Sequence, residues 1–557
     1  MPGLQDAFDR IGEALEHHVA SSHAAGAVLA VTDDEEILGV AVRGMADVAA
    51  GTPVRPETRF QIGSISKSFA GIIALQEVAA GRLDLHVSVN EIVPWLELPE
   101  PFGPITLHHL MQHTGGLAVG TEDAPTLAGA LWLLRDVPPT TPPGERFWYS
   151  NDGWKIVGAC LEHTTGAQIH DLIADRLFGA LGMRDSVARI VEEEYERTAV
   201  GYEPTRWDRP AQLRHTLSPA NRIVSNTADG SIVSTAIDMA AYARLLLARG
   251  DLPDARGQRT LSDEMFSALT EDGVDDGDGG RYAYGLWQET VDGHRWIGHT
   301  GGMVGYTALL AVSPDDGLGV VLLQNGGGAK HPVAAYALGA VRASLAGSDL
   351  PEVWAPPAPT EIPKAVEYVG RYEGDDGRTL EVEAIEDGLA ITIGPLPVRL
   401  ARDPLEATVG DTFLVAHEAL DRHPLEFGRE RVGDDGSSGT VTEAFHGPTW
   451  FRGRAYAGPE PATLPDAWAA YPGFYRNDSA WNPVLRVMER KDGLVLQWPY
   501  ESGDQGTDGR LVSLDDGSFA VGSERDPRRM RFEGATFGNA AAVAVFNGGR
   551  WYRSFEE

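Results

Sequence analysis

Apolar positions near the start of the chain recur at steps of three or four. Leu4, Phe8, Ile11, Leu15 and Val19 fall on one stripe and predict an amphipathic helix. Two strand-like runs follow, 26–32 and 37–43, joined by the acidic turn 33–36, a hairpin for that helix to cover. A short β-like run at 58–62 leads into a second helical pattern carried by Ile65, Phe69, Ile72, Leu75 and Ala79. The run 81–85 ends it, and helix-rich, proline-punctuated sequence extends to about residue 200. Thr235 predicts a helix cap, with Asp238 three residues on and an apolar run at 239–247 behind it. From about residue 281 the period changes to two. The runs 282–289, 294–298, 306–313 and 319–324 predict an antiparallel meander, closed by a helix with Val333, Leu338, Val341 and Leu345 on one side. Sheet elements at both ends with helices between them predict an α+β architecture: an antiparallel sheet flanked by helices, with one all-helical insertion.

Proline-rich sequence at 351–363 reads as a linker. Beyond it lie short alternating runs and Asp-Gly turns, and an internal repeat. Tyr368-Val369-Gly370-Arg371-Tyr372 recurs as Tyr471-Pro472-Gly473-Phe474-Tyr475, and Trp450-Phe451-Arg452 as Trp551-Tyr552-Arg553. Two all-β units of roughly a hundred residues, most simply small antiparallel barrels, are expected. The predicted organisation is a first domain over 1–350, a linker over 351–363, and β units over 364–458 and 459–557.

Composition narrows the functions. A chain of 557 residues exceeds one core, so two or three domains are expected. The single cysteine, Cys160, excludes an internal disulfide framework and argues against structural zinc, so neither a metal nor a cofactor is expected. A net charge of −35 repels nucleic acid and anionic membranes. No run approaches a membrane span and the N-terminal sequence lacks a signal-peptide pattern, so the expectation is a cytoplasmic protein whose partner is a small-molecule or short-peptide substrate. Only five residues are lysine, which makes the position of Lys67 informative.

Ser64-Ile65-Ser66-Lys67 opens the second helical pattern. A serine at a helix start feels the positive end of the dipole, and an amine one turn on lies on the same side and can take its proton. Tyr149 and Asn151 stand two apart where a loop enters the next helical stretch, so a phenol that shares protons with the lysine and an amide that anchors a substrate carbonyl can point into one cleft. His299-Thr300-Gly301-Gly302 lies in strand context, where side chains can face a cleft and glycine lets a substrate approach the backbone. The same letters occur earlier as His113-Thr114-Gly115-Gly116 at the end of the helical run 107–112, where a helix-stop role is expected. No Gly-x-Ser-x-Gly elbow between a strand and a helix and no His-Glu-x-x-His pattern is present.

The three segments, in this order, resemble the active-site motifs of the serine β-lactamase-like superfamily, and the tyrosine motif is similar to that of class C β-lactamases, D-alanyl-D-alanine carboxypeptidases and D-aminopeptidases. The resemblance covers about residues 5 to 350, and the β repeat is similar to the paired C-terminal barrels of D-aminopeptidases. It implies acylation of Ser64, a proton relay of Lys67 and Tyr149, an oxyanion hole from the backbone N–H groups of Ser64 and Gly302, and substrate contacts from Asn151, His299, Thr300 and Gly301. Which of Lys67 and Tyr149 accepts the serine proton stays open. Most β-lactamases and carboxypeptidases have a lysine where His299 stands, so the chain looks more like the D-aminopeptidases and related esterases. The expected activity is an acyl-enzyme serine hydrolase acting on small amides or esters, a D-amino-acid peptide first; the alternatives are a carboxylesterase, a weak β-lactamase, or a non-catalytic penicillin-binding sensor. If His299 supplies charge, activity toward carboxylate-bearing substrates should rise below pH of about 6.5.

Overall fold

The computed structural model describes residues 2–118, 120, 126–252, 259–393, 396–402, 411–431, 438–499, 509–534 and 541–554. It divides into two compact units, Met1–Glu203 with Leu217–Ala355, and Pro204–Thr216 with Pro356–Glu557.

The first unit is built on a nine-stranded antiparallel sheet. In chain order its strands are β1 (His23–Thr32), β2 (Ile37–Asp47), β3 (Thr52–Pro53), β4 (Val274–Asp275), β5 (Arg281–Tyr282), β6 (Trp287–Val291), β7 (His294–Met303), β8 (Tyr306–Ser313) and β9 (Leu318–Gly327), arranged β3-β2-β1-β9-β8-β7-β6-β5-β4. The amphipathic stripe predicted at the N-terminus is helix α1 (Pro2–Ala20), whose Ile11 and Leu15 are buried with Val333 and Leu338 of the closing helix in one core on the sheet. The second helical pattern is α2 (Ser66–Ala79), and the Thr235 cap opens a helix at Ala236–Leu247, with the threonine Oγ1 accepting the Asp238 amide at 3.1 Å. That later helix packs on β1 and β9. Its Tyr242 stacks on Phe69 of α2 at 3.9 Å between ring centroids and donates its hydroxyl to Ser68 Oγ at 2.8 Å.

Two sequence expectations change. The runs 306–313 and 319–324 predict half-buried alternating strands, yet β8 and β9 are buried almost without interruption, because helices cover both faces of the sheet and no face is left for water. The single run 282–289 is two strands. It breaks at Ala283–Leu286, where Gly285 has φ +96° and its backbone lies against that of Lys67 and Ser68. No side chain fits at that contact: a Cβ on Gly285 would stand 2.7 Å from the Ser68 nitrogen.

In the second unit, eight strands from Gly370–Gly374 to Thr449–Gly453 form a closed barrel, and eight from Gly473–Arg476 to Gly549–Ser554 form a second, barrel-like sheet. The sequence repeat is a structural repeat: Tyr372 donates its hydroxyl to the Tyr368 carbonyl at 2.9 Å, and Tyr475 does the same to Tyr471 at 2.6 Å. Residues Pro204–Thr216 group with this unit, where Arg209 and Arg214 both pair with the buried Asp421. Arg490 makes a bidentate pair with Glu426 between the two β modules, at 2.8 and 2.6 Å. Among the described residues no helix is long and apolar enough to cross a membrane.

Candidate active site

Ser64 sits in a single 3₁₀ turn, Gly63–Ile65, which runs directly into α2. The turn is held from behind. The Ser66 hydroxyl accepts the Ile232 amide at 3.1 Å, and the Ile232 carbonyl accepts the Ile62 amide at 3.0 Å. These bonds bring segment 229–232 alongside α2 and place the Asp229 carbonyl over Lys67.

Lys67 is buried and its Nζ has three partners: Ser64 Oγ at 2.9 Å, Asn151 Oδ1 at 2.9 Å and the Asp229 carbonyl at 2.7 Å. Burial lowers its pKa from the usual lysine value to about 7; the Asp229 charge opposes that shift and Lys155 adds to it. The Tyr149 hydroxyl is also hydrogen-bonded to Ser64, and burial pushes its pKa up. The ammonium lies 5.1 Å from the centroid of the Tyr149 ring.

Ser150 explains why Tyr149 and Asn151 take these positions. Its hydroxyl caps the helix Asn151–Thr165 by accepting the Gly153 amide at 3.1 Å, and donates to the Ala118 carbonyl at 2.6 Å. Tyr149 therefore ends the loop and Asn151 is the first helical residue, one on each side of a fixed point.

The third segment lies on β7. Strand β6 pairs with β7 only as far as Gly298, so beyond it the edge of β7 is open to the Ser64 turn. Residues 303 and 306 close a two-residue hairpin, which leaves Gly302 at a position whose N–H and C=O point away from β8. Both groups face Gly63: a Cβ on Gly63 would stand 2.7 Å from the Gly302 nitrogen and 2.6 Å from its oxygen. Gly63 has φ +54°, so its lack of a side chain serves both the turn and the close approach. Gly302 thus packs directly on the residue that precedes Ser64.

His299, expected as a substrate contact, lies buried behind the cleft-facing residues. It is 1% exposed, its ring stacks on Trp287 at 4.3 Å, its Nδ1 bonds the Thr300 carbonyl, and its Nε2 lies 3.1 Å from the Tyr282 hydroxyl. Burial, with the Lys67 charge nearby, holds its pKa down at about 3, so the imidazole is neutral throughout the physiological range. Nδ1 then carries the proton and Nε2 accepts from Tyr282. The expected gain of activity from a charged His299 below about pH 6.5 is withdrawn for this reason. Ser64, Tyr149, Asn151, Thr300 and Gly302 keep exposed surface, whereas Lys67, His299 and Gly301 stand behind them.

Four residues around the site carry no legible functional signal in the sequence. Asp229 acts through a backbone carbonyl, which leaves no side-chain signature. Trp287 and Tyr282 enclose His299, and their alternating strand pattern was the only available hint. The segment 113–116 does stop the helix Leu107–Met111, with His113 itself at φ +57°, and the His113 ring also lies 4.1 Å from that of Tyr149.

The buried neutral imidazoles imply acid sensitivity. A histidine whose pKa is lower in the folded chain contributes stability that is present above about pH 6.5 and is lost as pH falls toward the folded value. For His299 the loss at pH 5 is about 2 kcal/mol. The urea midpoint of the first unit, followed by tryptophan fluorescence, should be lower at pH 5 than at pH 7.5, and by less in His299→Gln. Equal midpoints at the two pH values in the parent would contradict a neutral, buried His299.

The sequence matches the family described as Beta-lactamase over residues 11–343, more than half of the chain. Penicillin-binding protein 4 of Amycolatopsis lactamdurans is 30% identical over 403 residues, which cover 67% of this chain and 97% of the relative. A D-aminopeptidase of Cereibacter sphaeroides is 28% identical over 421 residues, 73% of each chain, and esterase EstB of Burkholderia gladioli is 30% identical over 214 residues, 35% of this chain and 54% of the relative. Among solved structures, the octameric penicillin-binding protein homologue from Pyrococcus abyssi superposes with a TM-score of 0.54 at 23% identity, covering 80% of this chain and 98% of that one. A class C beta-lactamase gives a TM-score of 0.51 at 21% identity over 61% of this chain and 96% of that one. The two structures share its fold, the family match spans the Ser64, Tyr149 and His299 segments, and the chain belongs to the beta-lactamase family.

Proposed function

We propose that the protein is a serine hydrolase that forms an acyl-enzyme at Ser64 on small amide or ester substrates, with a D-amino-acid peptide as the favoured substrate class and a simple carboxylic ester second. The observation that carries this reading is the Ser64–Lys67 pair: the two side chains are 2.9 Å apart, and the lysine pKa is lowered to about 7. Carbonyl acceptors from Asn151 and Asp229 take two of the amine's hydrogens. A neutral Lys67 therefore keeps both of those bonds and directs its lone pair at the Ser64 hydroxyl. Tyr149, whose pKa is raised, stays a phenol, so we assign the general base to Lys67 and proton delivery to Tyr149.

In the acylation step Ser64 Oγ bonds to the substrate carbonyl carbon while its proton passes to Lys67. The carbonyl oxygen becomes an oxyanion held by the Ser64 and Gly302 amides. The bond to the leaving amine or alcohol then breaks as Tyr149 gives it a proton and is reprotonated by the Lys67 ammonium. Water completes the cycle by the same route in reverse, releasing the carboxylic acid. With its Oδ1 engaged by Lys67, Asn151 offers its Nδ2 hydrogens to a substrate carbonyl. The neutral His299 supplies no charge for a substrate carboxylate, which favours substrates held by other groups, and relatives bear the names D-aminopeptidase and esterase.

A panel of a D-amino-acid anilide, a chromogenic ester and a fluorescent penicillin tests the proposal. Sustained turnover of the anilide or the ester that disappears in Ser64→Ala is the expected result. One equivalent of label from the penicillin with no turnover of anything would replace the hydrolase reading with a penicillin-binding sensor.

A further inference from the structure

His113 combines two unfavourable local features beside Tyr149. It is a non-glycine residue with φ +57°, and its side chain, 1% exposed, leaves Nε2 with no hydrogen-bond partner among the described residues. A leucine or phenylalanine would fill the same space without an orphaned donor, and a glycine would take the backbone conformation without strain. Residues kept in such a state cluster where geometry is needed for function.

The contacts show what the imidazole holds. Its Nδ1 accepts the Ser150 amide at 2.9 Å, so the ring is fixed in the tautomer with its proton on Nε2. Its face lies against the Tyr149 ring at 4.1 Å, tilted by 32°, and Tyr282 packs on it at 4.6 Å. The backbone does the same work. The His113 carbonyl accepts the Trp148 amide at 2.6 Å, and the Thr114 carbonyl accepts the Gly144 amide at 2.8 Å. The left-handed turn after the helix Leu107–Met111 is therefore a cradle for the loop that carries Tyr149, and His113 accepts the amide hydrogens of the residues on either side of it, Trp148 and Ser150.

We propose that His113 is a positioning residue for Tyr149: by accepting the Ser150 N–H and stacking on the phenol, it fixes the hydroxyl at hydrogen-bond distance from Ser64. The imidazole touches no reacting atom in this role and transfers no proton. Burial holds its pKa well below the usual value, in keeping with a side chain that works as an uncharged acceptor. The inference rests on the proposed acyl-enzyme reading and adds to it the device that sets the phenol.

The test measures the acylation rate constant with a chromogenic ester in a rapid-mixing burst, together with KM, the stoichiometry of Ser64 labelling and the melting temperature. His113→Phe keeps an aromatic face and loses the acceptor; His113→Asn keeps an acceptor where Nδ1 stood and loses the ring. His113→Phe is expected to slow acylation about tenfold to a hundredfold with KM within about threefold, because a displacement near 1 Å has effects of that size. His113→Asn, which loses the stacking and keeps the acceptor, should acylate at least about threefold faster than His113→Phe. In a Tyr149→Phe background, adding His113→Phe should cost less than about threefold, since a residue that acts through another has no further effect once that partner is gone. Should His113→Phe not fold, His113→Met takes its place in each comparison. Parent-like acylation in His113→Phe, an Asn variant no faster than the Phe variant, or full additivity with Tyr149→Phe would each overturn the inference while Ser64→Ala stays inactive. Absence of Ser64 acylation in the parent would instead remove the reading beneath it, and the inference with it.

Discussion

Lys67→Met abolishes acylation of Ser64 and leaves the fold in place. The methionine fills nearly the same volume, so the pocket between Ser64, Asn151 and the Asp229 carbonyl stays occupied. What is lost is the proton acceptor, and removal of a positioned general base lowers rates by about a hundredfold to ten-thousandfold. Lowering a lysine pKa from 10.5 to about 7 represents about 5 kcal/mol of differential destabilisation of the ammonium form. The folded chain binds fewer protons than the unfolded chain between pH 7 and 10.5, so stability rises with pH across that window, and the full cost of burying the charge is present below about pH 7. The variant is therefore expected to melt at or above the parent temperature at pH 6 to 7, while a burst assay with a chromogenic ester finds no acyl-enzyme. Acylation within a few-fold of the parent would remove Lys67 from the proton path.

Gly301→Ala is the second large effect. A Cβ at Gly301 would stand 1.8 Å from the Ile62 carbonyl oxygen and 2.7 Å from its carbon, both backbone atoms of the segment that leads into the Ser64 turn. Neither strand β7 nor that turn can absorb the overlap by moving a side chain, so the two must separate. The separation carries the Gly302 amide away from Ser64, and loss of one oxyanion donor costs about a hundredfold to a thousandfold in acylation. Overpacking of this kind also lowers stability by about 1–3 kcal/mol. Gly302→Ala is the matched control, because a Cβ there meets nothing within 4 Å among the described residues. It should melt like the parent, whereas Gly301→Ala should lose both stability and acylation rate. Equal melting temperatures for the two variants would show that β7 does not press on the Ser64 turn as described.

The contrast between these neighbouring glycines shows where sequence reading stops. Periodicity located α2, the capped helix at Ala236–Leu247 and the N-terminal helix, because each buries one stripe and the stripe is written in the residues. Spacing and order picked out Ser64, Lys67, Tyr149 and Asn151, and the structure brings these four within one hydrogen-bonded group. The two His-Thr-Gly-Gly segments illustrate the limit. Their letters are identical, and helix or strand context pointed to a helix stop for the first and a substrate-facing role for the second. In the structure both imidazoles are buried neutral neighbours of Tyr149, at 4.1 and 6.2 Å between ring centroids. Their burial depends on Trp287, Tyr282 and Phe147, which arrive from other elements, and no local pattern reports it. The Asp229 carbonyl was equally illegible, since every residue has one. So was the grouping of Pro204–Thr216 with the β modules, which rests on Asp421 more than two hundred residues away.

The most direct measurement of the central claim is the rate of Ser64 acylation as a function of pH, followed by intact-mass detection of the acyl-enzyme with an uncharged ester. The rate should rise through one ionisation near pH 7 to a plateau, with no second gain on the acid side, and the Ser64 peptide should carry the mass. A rate independent of pH between 5 and 9, or an acyl group found on any other residue, would contradict an uncharged Lys67 as the base that activates Ser64.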